Sequence, residues 1–226
     1  DLAAQGARTA GCQHGRGRIV KPLEGLACLV SAFLIKITRV DIFVPYLQSM
    51  ILQALYVSLQ PCPALFHHFR AGDDSYIPGW EKLASAVHKY GAKILPQLFH
   101  PAYMAFPIPG TPRLIAPSNV GPSYAKEAPR SVTIPELKVI IRQFGEAALR
   151  VKKAGGDGVE IHAAHAHGLL GGFLTPLYNK RTDEYGGDIN GRLKLTLEVI
   201  EEVRRVCGKD FIVDVRISGD EYSDGG

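Results

Sequence analysis

From residue 73 onward the sequence alternates between helical and strand periodicity, and that alternation restricts the fold more than any other feature. Trp80, Leu83, Ala84 and Val87 recur at helical spacing after Pro78 and Gly79. KILPQLF, residues 93–99, then has the length and composition of a strand. Beyond a long Pro-rich loop, Thr133 and Glu136 have the offset of a capping box. Leu137, Ile140, Ile141, Phe144, Ala148 and Val151 continue as one helical stripe that stops before Gly155 and Gly156. A strand is expected at 157–162, a further stripe at Leu193, Leu197, Ile200 and Val203, and a third strand at 211–217. Consecutive βα units of this kind imply an α/β fold with a parallel sheet and right-handed crossovers.

Strand alternation decides which side chains can meet. Val159 and Ile161 share one apolar face of the strand at 157–162, which sets Glu160 and His162 together on the other. Inside a parallel barrel those two must be hydrogen-bonded or in use. His165 and His167 follow just past the C-terminal end, where barrel enzymes place their chemistry. One histidine at a strand end is more often a packing residue; three so close together beside an inward glutamate favour function. Leu95 and Gln97 share a face of the first strand, and Asp214 and Arg216 a face of the third. An amide, an imidazole and a guanidinium at one rim suit a flat ring with a polar edge. Two other uses of these residues stay open: an internal ion pair of Arg216 with Asp214 or Glu160, and a metal-dependent hydrolase built on His162, His165, His167 and Glu160.

The segment EIHAAHAHGLLGGFLTPLYNKRTDEYGG resembles the flavin-dependent Old Yellow Enzyme family of NADH:flavin oxidoreductases and ene-reductases, including 2,4-dienoyl-CoA reductases. The similarity extends upstream through DDSYIPGWEKLASAVHKYGAKILPQLFH and downstream to VDVRISGDE, so it covers about residues 73–226. The resemblance implies a (β/α)8 TIM barrel that binds FMN and is reduced by NADH or NADPH. It implies reduction of the C=C bond of a small α,β-unsaturated carbonyl compound. Gln97 and Arg216 would contact the pyrimidine edge of FMN, and His162 and His165 would donate to the substrate carbonyl oxygen. The family's usual proton-donating tyrosine, a few residues after that pair, is not in AHAHGLLGG, which has His167 and Gly168 there. His167 is a chemically competent substitute, and Tyr103 or Tyr178 are further candidates. After QLFH the family tends to continue with a Gly-Arg pair, whereas this chain has Pro101, Ala102 and Tyr103. Arg181, Asp183 and Gly186-Gly187 read as scaffold of a long loop.

A complete barrel of this type needs roughly 250 residues. The chain has 226 and ends soon after the third strand, so a partial barrel lacking its C-terminal strands is expected. In relatives those strands hold the FMN phosphate, which makes a catalytically inactive remnant the alternative to a working enzyme. An unclosed sheet edge also favours association, for instance into a homo-oligomer.

The 26 basic and 22 acidic residues are well mixed, which argues against a nucleic-acid partner. Cys12, Cys28, Cys62 and Cys207 form no CxxC pair, so no metal site is indicated by cysteine and a reduced cytoplasmic setting is expected. Residues 1–72 carry no recognisable part of the pattern: 1–22 are Gly/Arg-rich, and 42–66 contain no charge but are interrupted by Pro45, Pro61 and Pro63. The uncharged stretch reads as buried or poorly specified and not as a membrane span. The expected organisation is an atypical segment 1–72 followed by the barrel domain 73–226.

Overall fold

A computed structural model describes residues 71–104, 114–121, 128–166 and 168–224, together with the backbone of a strand at 49–56. These fall in one compact unit, Tyr46–Gly226. The elements are β1 (Ser49–Tyr56), α1 (Ile77–His88), β2 (Lys93–Phe99), β3 (Ile115–Ala116), β4 (Arg130–Ser131), α2 (Ile134–Lys153), β5 (Gly158–Ala163), α3 (Leu169–Leu174), α4 (Ile189–Cys207) and β6 (Ile212–Ile217). Among the described residues the main sheet has four parallel strands in the order β1-β2-β5-β6 and is not closed into a barrel, while β3 and β4 form a short parallel ladder of their own.

The periodicities translate directly into this framework. Trp80, Leu83, Ala84 and Val87 are the buried residues of α1. In α2 the whole stripe from Leu137 to Val151 is buried, and Thr133 and Glu136 complete the capping box. Glu136 also takes a bidentate ion pair from Arg130, and that bond leads the causes that hold its carboxyl down at about 2. Each fully buried Leu, Ile or Phe of such a stripe contributes roughly 1.5–3 kcal/mol through removal of apolar surface from water.

Two expectations need correction or extension. In α4 the buried residues are Leu195, Thr196, Val199, Val203 and Cys207, while Leu197 is 50% exposed and Leu193 and Ile200 only half-buried. Both sets satisfy helical spacing. The neighbour decides between them: α4 runs alongside α2, tied by Lys138 to Glu198 near one end and by Lys152 Nζ to the Cys207 carbonyl at the other. Gly145 of α2 leaves no room for a Cβ against Glu202, so the two helices approach closely there. β1 lies upstream of residue 73, inside the uncharged stretch 42–66, and pairs with β2. The remainder of that stretch, residues 1–22, and Cys12, Cys28 and Cys62 lie outside the described residues.

Pro96, inside β2, removes a ladder donor, and the register answers it. Leu52 pairs with Pro96 but Leu55 with Leu98, so β1 carries one extra residue at that point.

At the N-terminal ends of the strands Asp157 gathers three elements. Its carboxylate accepts from His88 Nε2 at 2.7 Å, Lys93 Nζ at 2.7 Å and the Ile94 amide at 3.0 Å. Its own amide donates to the Ile94 carbonyl, and its carbonyl accepts from Ile212 N. Burial opposes the charge, yet these hydrogen bonds outweigh it and lower the carboxyl pKa.

Candidate functional site

The register of β2, β5 and β6 sorts the polar residues into two rows. Gln97 pairs with Glu160 and Glu160 with Asp214; His162 pairs with Arg216. Residues in lateral register on parallel strands project to the same face, so all five share one. Gln97, Glu160 and His162 are buried at 3%, 5% and 7% exposure, which makes their satisfaction obligatory. Gln97 Nε2 donates to Glu160 Oε1. That bond fixes the amide and leaves Gln97 Oε1 as the acceptor. The edge of the Phe99 ring meets the His162 imidazole at 4.7 Å between centroids. His165 is exposed, with its ring 5.5 Å from that of His162.

Arg216 reaches His165, with Nη2 at 3.2 Å from Nε2. A guanidinium has donors only, so in this bond His165 accepts at Nε2 and keeps its proton on Nδ1. Arg216 therefore uses one of its donors on His165, and the ion pairs with Asp214 or Glu160 considered from the sequence are not among its contacts. Of the site residues read from the sequence, Gln97, His162, His165 and Arg216 are brought to one rim of the sheet, with β5 between Gln97 and Arg216. His167 lies outside the described residues. Among the described residues no three His, Cys, Asp or Glu side chains are grouped as a metal site.

His165 and Ala166 both adopt left-handed backbone conformations, with φ of 65° and 50°. Neither is glycine, and each costs about 1 kcal/mol or more to hold there. The His165 amide donates to Ser218 Oγ at 2.7 Å, and the Tyr103 hydroxyl donates to the Ala166 carbonyl at 2.6 Å. The tyrosine weighed from the sequence as a proton donor thus has its hydroxyl on this turn, with its ring 5.7 Å from that of Tyr178. Ser218 escaped the sequence reading. Its position directly after the strand that carries Arg216 was the available signal.

His100, at the end of β2, is buried and has its pKa lowered to about 4, because burial disfavours the imidazolium. Its Nδ1 accepts from the Ala102 amide at 3.1 Å. Ala102, in the segment where the resemblance led us to expect a Gly-Arg pair, takes a left-handed φ of 53°. A folded pKa below the unfolded value of 6.5 means that the unfolded chain binds the proton more readily. This contribution to stability is complete above pH 6.5 and shrinks as pH falls to about 4, by about 3 kcal/mol in all. In His100→Gln, denaturant titrations across that window are expected to show a flatter pH dependence than wild type. Parallel profiles would refute the assignment.

The loop between α3 and α4 is scaffold, as its composition suggested. The Arg181 fork meets Asp183 at 2.9 and 2.5 Å and donates to the carbonyls of Pro117 and Val132 at 2.9 and 2.8 Å. Asp183 has its pKa lowered chiefly by that arginine. Asn179 donates to the Phe173 and Tyr185 carbonyls, and the fully buried Tyr185 gives its hydroxyl proton to Glu198. Gly187 has a φ of 76°, and a Cβ on Gly186 would collide with the Arg181 carbonyl.

The sequence pattern of the NADH:flavin oxidoreductase / NADH oxidase family matches residues 50–226. A NADH oxidase of Thermoanaerobacter brockii is 41% identical over 158 residues, 70% of this chain and 24% of its own length. A multifunctional alkene reductase/demethylase of Caballeronia cordobensis is 35% identical over 158 residues, 69% of this chain and 23% of its own. Among solved structures, morphinone reductase superposes with a TM-score of 0.68 at 30% identity, covering 75% of this chain and 49% of its own. The chain thus spans about a quarter of these two curated relatives and about half of morphinone reductase.

Proposed function

Because the chain belongs to the NADH:flavin oxidoreductase / NADH oxidase family, we propose that it takes part in reduction of the C=C bond of a small α,β-unsaturated carbonyl compound. The family's cofactor is FMN and its reductant NADH or NADPH. When bound, FMN supplies the hydride. The observation that carries the reading is the meeting of Gln97, His162, His165 and Arg216 on one face, at the C-terminal ends of adjacent parallel strands.

The donor set fits the cofactor. Gln97, with its Nε2 given to Glu160, turns an acceptor to the rim, while Arg216 contributes only donors. A pyrimidine edge, where carbonyl and N–H groups alternate, needs both kinds. Arg216 also supplies a fixed positive charge where a reduced ring would accumulate negative charge. His165 accepts from Arg216 at Nε2 and is exposed at the rim. Together with His162 it would donate to the substrate carbonyl oxygen, and those bonds would strengthen as enolate charge develops. We place the proton donor at His167, on chemistry alone.

The test is FMN titration of the full chain, followed by quenching of flavin fluorescence, and then NADH- or NADPH-dependent turnover of an α,β-unsaturated ketone. Arg216→Leu is expected to weaken FMN binding about tenfold or more, in keeping with loss of charge-assisted hydrogen bonds. Unchanged affinity would remove Arg216 from the cofactor site. Preparations that take up no FMN would favour the catalytically inactive alternative. Uptake without alkene turnover would leave a flavoprotein of another reaction.

A further inference from the structure

We propose that Ser218 and Tyr103 are positioning residues, which hold the left-handed His165–Ala166 turn at its two ends and so aim the His165 imidazole into the site. The inference rests on the proposed reaction for its rate effects but not for its geometry.

A turn of two consecutive non-glycine residues at positive φ relaxes unless its surroundings over-determine it. Here the surroundings do so from opposite sides. Ser218, at the end of β6, takes the first amide of the turn through its Oγ at 2.7 Å. Tyr103, in the segment after β2, gives its hydroxyl proton to the last carbonyl at 2.6 Å. From below, α3 closes the space, since a Cβ on Gly171 would lie 2.5 Å from the Ala164 carbonyl oxygen. α3 is itself tied to β2 by the Leu169 amide on the His100 carbonyl. The turn can therefore neither flip its first peptide nor slide along the strand without giving up a hydrogen bond.

Arg216 on β6 and Ser218, the residue that follows the strand, hold His165 at its ring and at its backbone respectively. The ring contact fixes which nitrogen carries the proton. The backbone contact fixes where that nitrogen points. Tyr103 lies in the segment after QLFH where the resemblance led us to expect a Gly-Arg pair.

The decisive experiment compares Ser218→Ala, Ser218→Thr and Tyr103→Phe in the full chain. It reads kcat and KM for alkene reduction, FMN affinity, and the imidazole 15N resonances of His165. Phenylalanine keeps the aromatic packing and threonine keeps the hydroxyl, so both variants should fold. Ser218→Ala and Tyr103→Phe are each expected to lower kcat about tenfold, with KM and FMN affinity within about twofold of wild type, because misplacement of a reacting group affects the chemical step. The His165 resonances should move in both, and Ser218→Thr should restore rate and resonances together. Unmoved resonances in Ser218→Ala, or a loss in Ser218→Thr as large as in Ser218→Ala, would overturn the proposal. A slower Tyr103→Phe with His165 unmoved would overturn its half, and make Tyr103 a proton donor instead. If the wild-type chain reduces no alkene, resonances that move in both variants and return in Ser218→Thr still support the positioning role, and only the proposed reaction falls.

Discussion

Removing both imidazoles, in a His162→Asn, His165→Ala double variant, is expected to lower alkene reduction by roughly 10³-fold while FMN content stays close to wild type. Two donors aimed at an oxygen on which charge develops act mainly in the transition state, so their loss falls on kcat more than on binding. The substitutions are chosen from the burial. His165 is exposed, and truncation there opens no cavity. His162 is buried with its ring against Phe99, so asparagine, which keeps polarity and part of the volume, is the safer replacement. Single variants should each show most of the loss, because residues that act as a unit are far from additive. Steady-state turnover of an α,β-unsaturated ketone, normalised to bound flavin, decides the matter. A double variant that turns over at the wild-type rate would take both histidines out of the mechanism.

Arg181→Ala is expected to destabilise the fold by roughly 1–3 kcal/mol, the range for leaving buried acceptors without their donor. The Arg181 side chain is 9% exposed and that of Asp183 35%, so the two carbonyls that the guanidinium serves, and not the ion pair, carry the effect. Its loss leaves the carbonyls of Pro117 and Val132 without that donor, and removes a cation from the face of the Phe173 ring. Lysine would not rescue it, since a point charge cannot serve a carboxylate and two carbonyls through one planar fork. Guanidinium unfolding curves of wild type, Arg181→Ala and Arg181→Lys provide the measurement. A shift below about 1 kcal/mol for the alanine variant would show that the loop is held by its other contacts, Asn179 and Tyr185 among them.

The sequence was most legible where local rules and tertiary packing agree. The α1 and α2 stripes, the capping box and β2 are such places, and the strand alternation correctly set Glu160 and His162 beside Gln97 and Arg216 on one face. Legibility failed where a neighbour had the deciding vote. In α4 two stripes compete on equal terms, and only contact with α2 selects the one through Leu195 and Val199. The strand at Ser49–Tyr56 has no alternation to announce it, and its identity comes from pairing with β2. The Ser218 and Tyr103 contacts with the His165–Ala166 turn were hidden for another reason. They join residues 53 and 63 positions apart in the chain through a backbone conformation that no propensity favours.

Asp157 keeps three elements in step at the end of the sheet remote from His162 and His165. Under the proposed function, folding and chemistry answer to different parts of the same strands. A lineage built on this arrangement can exchange the loops around its reacting groups, and with them the compounds it accepts, without relearning how to assemble.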